Sequence, residues 1–195
     1  MIEVERKFVM NKENADSLTK NAKFLREIVF TDIYYDTPDH KLTTKDIWLR
    51  KRNGKFELKI PLGRNEQADQ YKEIETEDEI KKELKLNGKD LSEGLQKNGF
   101  KEFCTCTTTR KKYKNGQFTI DLDQVEFKKG TYCIGEIELM VKTESEMEKA
   151  LQQISKFAKS QKLTFAPVRG KVVEYLSRFN PEHYKALLNA GVIKA

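Results

Sequence analysis

Four short stretches of the chain place two ionised side chains of one sign two residues apart: Glu3 and Glu5, Arg50 and Arg52, Asp121 and Asp123, Glu136 and Glu138. A further pair, Glu57 and Lys59, mixes the signs. Residues two apart in a β-strand share one side, about 7 Å from each other. Like charges at that spacing repel, and a merely solvated strand face would blend them with Ser, Thr and Gln. A carboxylate cluster is a hard-oxygen site suited to Mg²⁺, Mn²⁺ or Ca²⁺. Grouped Arg and Lys suit phosphate oxygens, and Arg can grip two at once. Acidic and basic pairs lie on different segments, so a closed sheet would gather them into one wet interior. The combination reads as a site for a metal-bound polyphosphate, and residue type and spacing do not carry the choice of substrate further.

Strands must present these pairs. Residues 1–9 alternate, with Glu3, Glu5 and Lys7 on one face and Ile2, Val4 and Phe8 on the other. Trp48, Arg50 and Arg52 oppose Ile47 and Leu49. Glu57 and Lys59 oppose Phe56, Leu58 and Ile60; Asp121 and Asp123 oppose Ile120 and Leu122; Glu136 and Glu138 oppose Ile137 and Leu139. Arg6 and Lys51 have the opposite parity and are expected outside. Further strands are expected over 24–36, 70–76, 100–113, 117–127 and 132–142. Asn53-Gly54 and Asn115-Gly116 are hairpin signals. Helices are expected over 11–22, capped by Asn11, twice within 77–98, and over 144–160, where Met147, Leu151, Ile154, Phe157 and Ala158 share a face. Two more close the chain over 171–179 and 181–189, with Pro181 opening the last. Strands joined as hairpins, with helices, argue for an α+β fold with an antiparallel sheet or barrel. The 195 residues show no linker, repeat or low-complexity stretch, so one domain over 1–195 is expected.

Lys and Arg number 37 against 31 Asp and Glu, a net charge of +6, interleaved without a basic tract. A basic module for nucleic acid would account for the charge but not for the acidic pairs, which would repel a phosphate backbone. No apolar run reaches the length of a membrane span. The charged start MIEVERKFVM lacks the apolar stretch of an export signal, so a cytoplasmic protein with free thiols at Cys104, Cys106 and Cys133 is expected. Cys104 and Cys106 lack the second ligand pair of a zinc site. His40 and His183 have no partner pattern and are read as non-catalytic.

Glu3-Val-Glu5-Arg-Lys7 resembles the ExExK signature of the CYTH superfamily, the triphosphate tunnel metalloenzymes. Arg50-Lys-Arg52, Glu57-Leu-Lys59, Arg110, Asp121-Leu-Asp123, Glu136-Ile-Glu138 and Lys171 follow in that family's order. Longer strings, including YYDTPDHKL (34–42), DIWLRKR (46–52), GEIE (135–138) and YLSRFNPEHYKALL (175–188), resemble its animal thiamine triphosphatases. The resemblance implies a closed eight-stranded antiparallel β-barrel with flanking helices. It implies hydrolysis of a triphosphate, foremost thiamine triphosphate, with Mg²⁺; Mn²⁺ would substitute and Ca²⁺ would inhibit. Carried onto this chain, it makes Glu3, Glu5, Asp121, Glu136 and Glu138 metal ligands. Lys7, Arg50, Arg52, Lys59, Arg110 and Lys171 would grip the triphosphate. Glu136, Glu138 and Arg52 would carry the chemistry. Trp48 would stack on the thiamine, a contact worth about 0.5–2 kcal/mol. The roles of Glu57, Glu73, Glu75 and Asp123 stay open, as does the choice between a second metal and Glu136 acting as base. Inorganic tripolyphosphate is the alternative substrate, and class IV adenylyl cyclase or a non-enzymatic polyphosphate-binding module the remoter readings. A monomer acting on a small molecule, without nucleic acid or membrane partner, is the expectation.

Overall fold

Alternating sequence becomes eight strands: β1 (Ile2–Val9), β2 (Lys23–Asp36), β3 (Trp48–Arg52), β4 (Lys55–Pro61), β5 (Asp69–Ile74), β6 (Lys101–Asn115), β7 (Phe118–Glu126) and β8 (Thr131–Val141). In the computed structural model, which describes residues 2–62, 69–163 and 168–194, they close into an antiparallel barrel in the order β1-β5-β4-β3-β2-β6-β7-β8. The first hairpin forms as its sequence predicts: Arg52 pairs with Lys55, and Asn53 and Gly54 both take positive φ, 46° and 89°. The second is displaced by one residue. Asn115 still pairs with Phe118, so the loop is Gly116-Gln117, with positive φ only at Gly116. One glycine at the first loop position suffices for a hairpin turn, and Asn115 remains in the ladder.

Among the described residues six helices accompany the strands: α1 (Lys12–Thr19), α2 (Glu77–Glu83), α3 (Leu91–Lys97), α4 (Met147–Ser160), α5 (Lys171–Phe179) and α6 (Pro181–Asn189). Their starts are chemically marked. Asn11, Asp90 and Asn180 accept backbone N–H bonds from Asn14, Glu93 and His183. Thr143 and Glu146 form a capping box over the short 3₁₀ turn that leads into α4. Among the described residues no helix is long and apolar enough to cross a membrane.

The chain gathers into two compact units. The first holds β1, α1, β6 from Thr107 onward, β7, β8 and α4. Its core is the apolar parity of these strands (Val4, Phe8, Ile120, Leu122, Ile137, Leu139) packed with Leu151, Ile154 and Ala158 of α4. Each fully buried aliphatic side chain here stabilises the fold by about 1.5–3 kcal/mol. Arg6, of apolar-face parity, donates from Nη1 to Ser155 Oγ on α4 at 2.9 Å, which confirms its outward aim. With that face covered by a helix, the ionised parity of the same strands is the opposite one.

The second unit holds the end of β2, β3, β4, α2, α3, the start of β6 and α6. Leu49, Phe56, Leu58 and Ile74 pack with Ile80 of α2 and Leu91 and Leu95 of α3. Lys51 lies over the Phe56 ring, 5.0 Å from its centroid, again on the apolar side. The thiols of Cys104 and Cys106 are buried in β6, Cys133 is exposed, and none of the three is in a disulfide.

Candidate active site

Strand register lines up ionised residues in the first unit. Lys112 on β6 is the partner of Asp121 on β7, Asp121 of Glu136 on β8, and Glu136 of Lys7 on β1. One row across four strands therefore reads plus, minus, minus, plus: opposite charges meet at Lys112–Asp121 and Glu136–Lys7, while Asp121 and Glu136 set two carboxylates directly opposite each other, which repel. Beside it Glu138 partners Glu5, and Arg110 partners Asp123. The side chains complete the network. Arg110 donates Nε and Nη2 to the two oxygens of Asp123 at 2.6 and 2.7 Å, and Nη2 also reaches Glu136 Oε2 at 2.9 Å. Its Nη1 lies 2.5 Å from Asp121 Oδ2. Lys112 Nζ lies 2.9 Å from the same oxygen and 3.3 Å from Glu138 Oε2. Lys7 Nζ donates to Glu5 Oε1 at 2.5 Å.

Burial sets the proton affinities. It raises the Glu136 carboxyl to about 7, with help from the charge of Glu5 and against Arg110 and Lys7. Burial likewise lifts Glu138 to about 9, reinforced by Asp121 and Glu3 and opposed by Lys112. For Arg110 burial works the other way, but Glu136, Asp123 and Asp121 outweigh it and hold the guanidinium more firmly protonated than usual. Lys112 follows the same balance, with Glu138 and Asp121 as its carboxylates.

Lys171 opens α5, where strand parity could not aim it. Its Nζ lies 3.4 Å from Thr108 Oγ1, and Thr108 shares the face of Arg110 and Lys112 on β6. Gly170 sits against Lys7, whose Cε would lie 3.6 Å from a Cβ added there. The structure thus brings Glu3, Glu5, Lys7, Arg110, Asp121, Glu136, Glu138 and Lys171 into one unit.

The remaining sequence candidates lie in the second unit. Arg50 donates Nε and Nη2 to Glu57 Oε2 at 2.7 and 2.5 Å. Arg52 makes a two-pronged pair with Asp32, Nε to Oδ1 at 2.7 Å and Nη2 to Oδ2 at 2.9 Å, and stacks 4.1 Å over the Phe30 ring. Lys59 Nζ lies 2.6 Å from Glu73. Trp48 is half-buried and donates Nε1 to Asp46 Oδ1 at 2.8 Å, which fixes the indole. Glu57 and Glu73 are therefore counter-ions of the expected phosphate ligands, while Glu75 is exposed beyond the end of β5.

Residues 1–164 match the CYTH domain. The chain belongs to the CYTH family. This CYTH chain is 31% identical to the thiamine-triphosphatase of Homo sapiens, with 98% of this chain and 91% of that protein covered. It is 30% identical to the thiamine-triphosphatase of Macaca fascicularis, covering all of this chain and 92% of that one. A solved structure from Pyrococcus horikoshii OT3 superimposes with a TM-score of 0.66 at 28% identity, covering 90% of this chain and 99% of the other.

The acidic residues of the CYTH chain fit a metal on their own geometry. Ligand atoms of Glu3, Glu5 and Glu138 lie within 4.8 Å of one another, as do those of Asp121, Glu136 and Glu138. Asp121 is fully buried, yet Oδ1 has no hydrogen-bond partner, and the two cations beside Oδ2 are close without hydrogen-bond alignment. A buried carboxylate oxygen in that state calls for a cation or a water.

Three groups escaped the sequence reading. Asp32, fully buried among the aromatics of β2, is the partner of Arg52; a lone acid in a β-branched and aromatic run was the available signal. Lys112 has the parity of Arg110 but lies in the run Arg110-Lys-Lys-Tyr-Lys114, which masks it. The third joins distant segments: His40 stacks on His183 with centroids 3.7 Å apart, and His183 Nε2 is hydrogen-bonded to Thr43 Oγ1 at 2.7 Å, whose hydroxyl donates to Asp36 Oδ2. Asp36 accepts the backbone N–H groups of Thr37, Leu42 and Thr43 there, so this cluster secures the 37–43 loop.

Proposed function

We propose that the protein hydrolyses thiamine triphosphate to thiamine diphosphate and phosphate with Mg²⁺, as a cytoplasmic monomer in which residues 1–195 work as one domain. The observation that carries this is the ionised face of β1, β6, β7 and β8, where clustered carboxylates lie in contact with Arg and Lys side chains, in a chain of the CYTH family. Thiamine triphosphate as the substrate is supported by the relatives of that name, similar over nearly the whole chain.

Glu3, Glu5 and Glu138 would hold the Mg²⁺, whose positive charge lowers the cost of electron density moving onto the phosphate oxygens. Lys7, Arg110 and Lys171 would bind phosphate oxygens from the first unit. Arg50, Arg52 and Lys59 are assigned the same chemistry, each already held in place by a carboxylate partner. Preorganised cations of this kind stabilise charge as it develops in the transition state. Glu136, held by Arg110, would take the proton of the attacking water. Trp48 would stack its fixed indole on the thiamine ring.

The test is phosphate release from thiamine triphosphate, inorganic tripolyphosphate and ATP, with Mg²⁺, with Mn²⁺, with Ca²⁺ and without metal. Release from thiamine triphosphate with Mg²⁺, lost without metal and in Glu138→Gln, is expected. No release from any triphosphate would overturn the assignment. Trp48→Ala should lower kcat/KM for thiamine triphosphate relative to tripolyphosphate; an unchanged ratio would leave tripolyphosphate as the better substrate.

A further inference from the structure

The indole of Trp48 is set by a path of hydrogen bonds that starts in the last helix of the second unit. Asp46 Oδ1 accepts the indole Nε1–H at 2.8 Å. Asp46 closes the single 3₁₀ turn Thr43–Lys45 in a left-handed conformation, φ 62°, and its backbone N–H is bonded to the Thr43 carbonyl at 3.0 Å. Thr43 is held from outside that turn. Its hydroxyl has one proton, which goes to Asp36 Oδ2 at 2.7 Å. Toward His183 the oxygen can therefore only accept, and His183 Nε2 is the donor at 2.7 Å. His183 is fully buried in the first turn of α6, with its ring stacked on His40 and tilted against Phe103. Three hydrogen bonds thus lead from a buried imidazole to the indole. His183 also lies beyond residues 1–164, the part that matches the CYTH domain, whereas the phosphate-binding candidates other than Lys171 lie within it.

We propose that His183 is a positioning residue that, through Thr43 and Asp46, sets the indole of Trp48 and with it the preference for a substrate carrying a flat cationic ring on its triphosphate. This rests on the thiamine triphosphate reading of the same site. An indole free to turn about its side-chain bonds loses that freedom when a ring stacks on it; one anchored beforehand does not. The triphosphate grip is built from other side chains, so the anchor bears on the organic end alone.

The experiment compares kcat/KM for thiamine triphosphate and tripolyphosphate, with Mg²⁺, in the wild type, His183→Phe, His183→Gln, Asp46→Gly and Asp46→Asn. Phe keeps a stacked ring and cannot donate, while Gln retains a side-chain N–H. Gly keeps the left-handed turn and removes the acceptor, while Asn keeps both. His183→Phe and Asp46→Gly should each lower the ratio of thiamine triphosphate to tripolyphosphate kcat/KM by about 2–30-fold, the range that loss of a stacking contact allows. The Gln and Asn variants should stay near the wild-type ratio. Trp48 is the only tryptophan of the chain, so time-resolved fluorescence anisotropy reports its indole without substrate, and fast local motion should increase in the Phe and Gly variants. An unchanged ratio or an unchanged anisotropy in His183→Phe overturns the proposal; if Trp48→Ala still lowers the ratio, the thiamine reading stands without it. A ratio that Trp48→Ala leaves unchanged removes the thiamine reading itself, and the selectivity assigned to His183 with it. Thr43→Val, which leaves the imidazole in place and removes its acceptor, carries the same expectations as His183→Phe if that variant does not fold.

Discussion

Gly135→Ala adds one methyl group to β8, next to Glu136. Gly135 is paired with Phe8 of β1 on one side and with Leu122 of β7 on the other. A Cβ at this position would lie 2.6 Å from Phe8 Cε1 and closer still to two other ring atoms. Real Cβ contacts do not fall that low, and Phe8 is fully buried against the α4 side of the unit, so the ring has nowhere to retreat. Either Phe8 leaves its rotamer or β1 and β8 move apart. Overpacking of this kind costs about 1–3 kcal/mol, and a clash with a caged aromatic ring belongs at the upper end. At about 2–4 °C per kcal/mol for a chain of this size, melting should fall by about 6–12 °C. Activity should fall as well, because Lys7 and Glu136, the neighbours of the clash, are themselves a cross-strand pair. A displacement near 1 Å there is worth about 100-fold in rate. Urea denaturation and phosphate-release assays measure the two effects. The decisive control is Phe8→Leu with Gly135→Ala. Phe8→Leu alone should cost about 1–2 kcal/mol through the space it leaves, and the double variant should be more stable than Gly135→Ala. Additive losses in the double variant, or a Gly135→Ala protein within about 0.5 kcal/mol of wild type, would refute the close approach of ring and strand.

Arg52→Ala should destabilise by about 3–5 kcal/mol, because it removes the two-pronged guanidinium from the fully buried Asp32, and should lower hydrolysis by about 100-fold or more. Asp32→Asn added to Arg52→Gln should recover much of the stability in denaturation but not the rate; a recovered rate would remove Arg52 from phosphate binding. His183 is pushed down to about 4 by burial, with the charge of His40 adding to it and Asp36 opposing, so it is neutral when folded and protonates near 6.5 when unfolded. The unfolded chain then binds more protons, so stability is undiminished above pH 6.5 and falls on acidification toward pH 4, by on the order of 2 kcal/mol. In His183→Gln that part of the pH dependence should vanish from urea midpoints measured between pH 7 and 4, and an unchanged slope would exclude His183 as its source.

Much of this protein is legible in one dimension because strand parity is a local, covalent property. Glu3, Glu5 and Lys7 share a side of β1 whatever surrounds them, and so do Arg50 and Arg52 or Glu136 and Glu138. Helix caps and the Asn53-Gly54 turn are equally local, which explains why most element boundaries follow from the sequence alone. What parity cannot supply is which residue stands opposite which. Lys112 became a cation in the carboxylate cluster only through its register with Asp121, and Asp32 became a counter-ion only through the pairing of β2 with β3. Gly135 reads as part of a motif string, yet its reason is the Phe8 ring on the neighbouring strand. His183 reads as a lone helix residue until Thr43 and His40, some 140 positions away, arrive beside it. The sequence by itself determined the alternation of ionised and apolar side chains and the order of the elements. Tertiary structure alone decided the partners, because cross-strand distances are set by chain closure over long separations and not by any property of neighbouring residues.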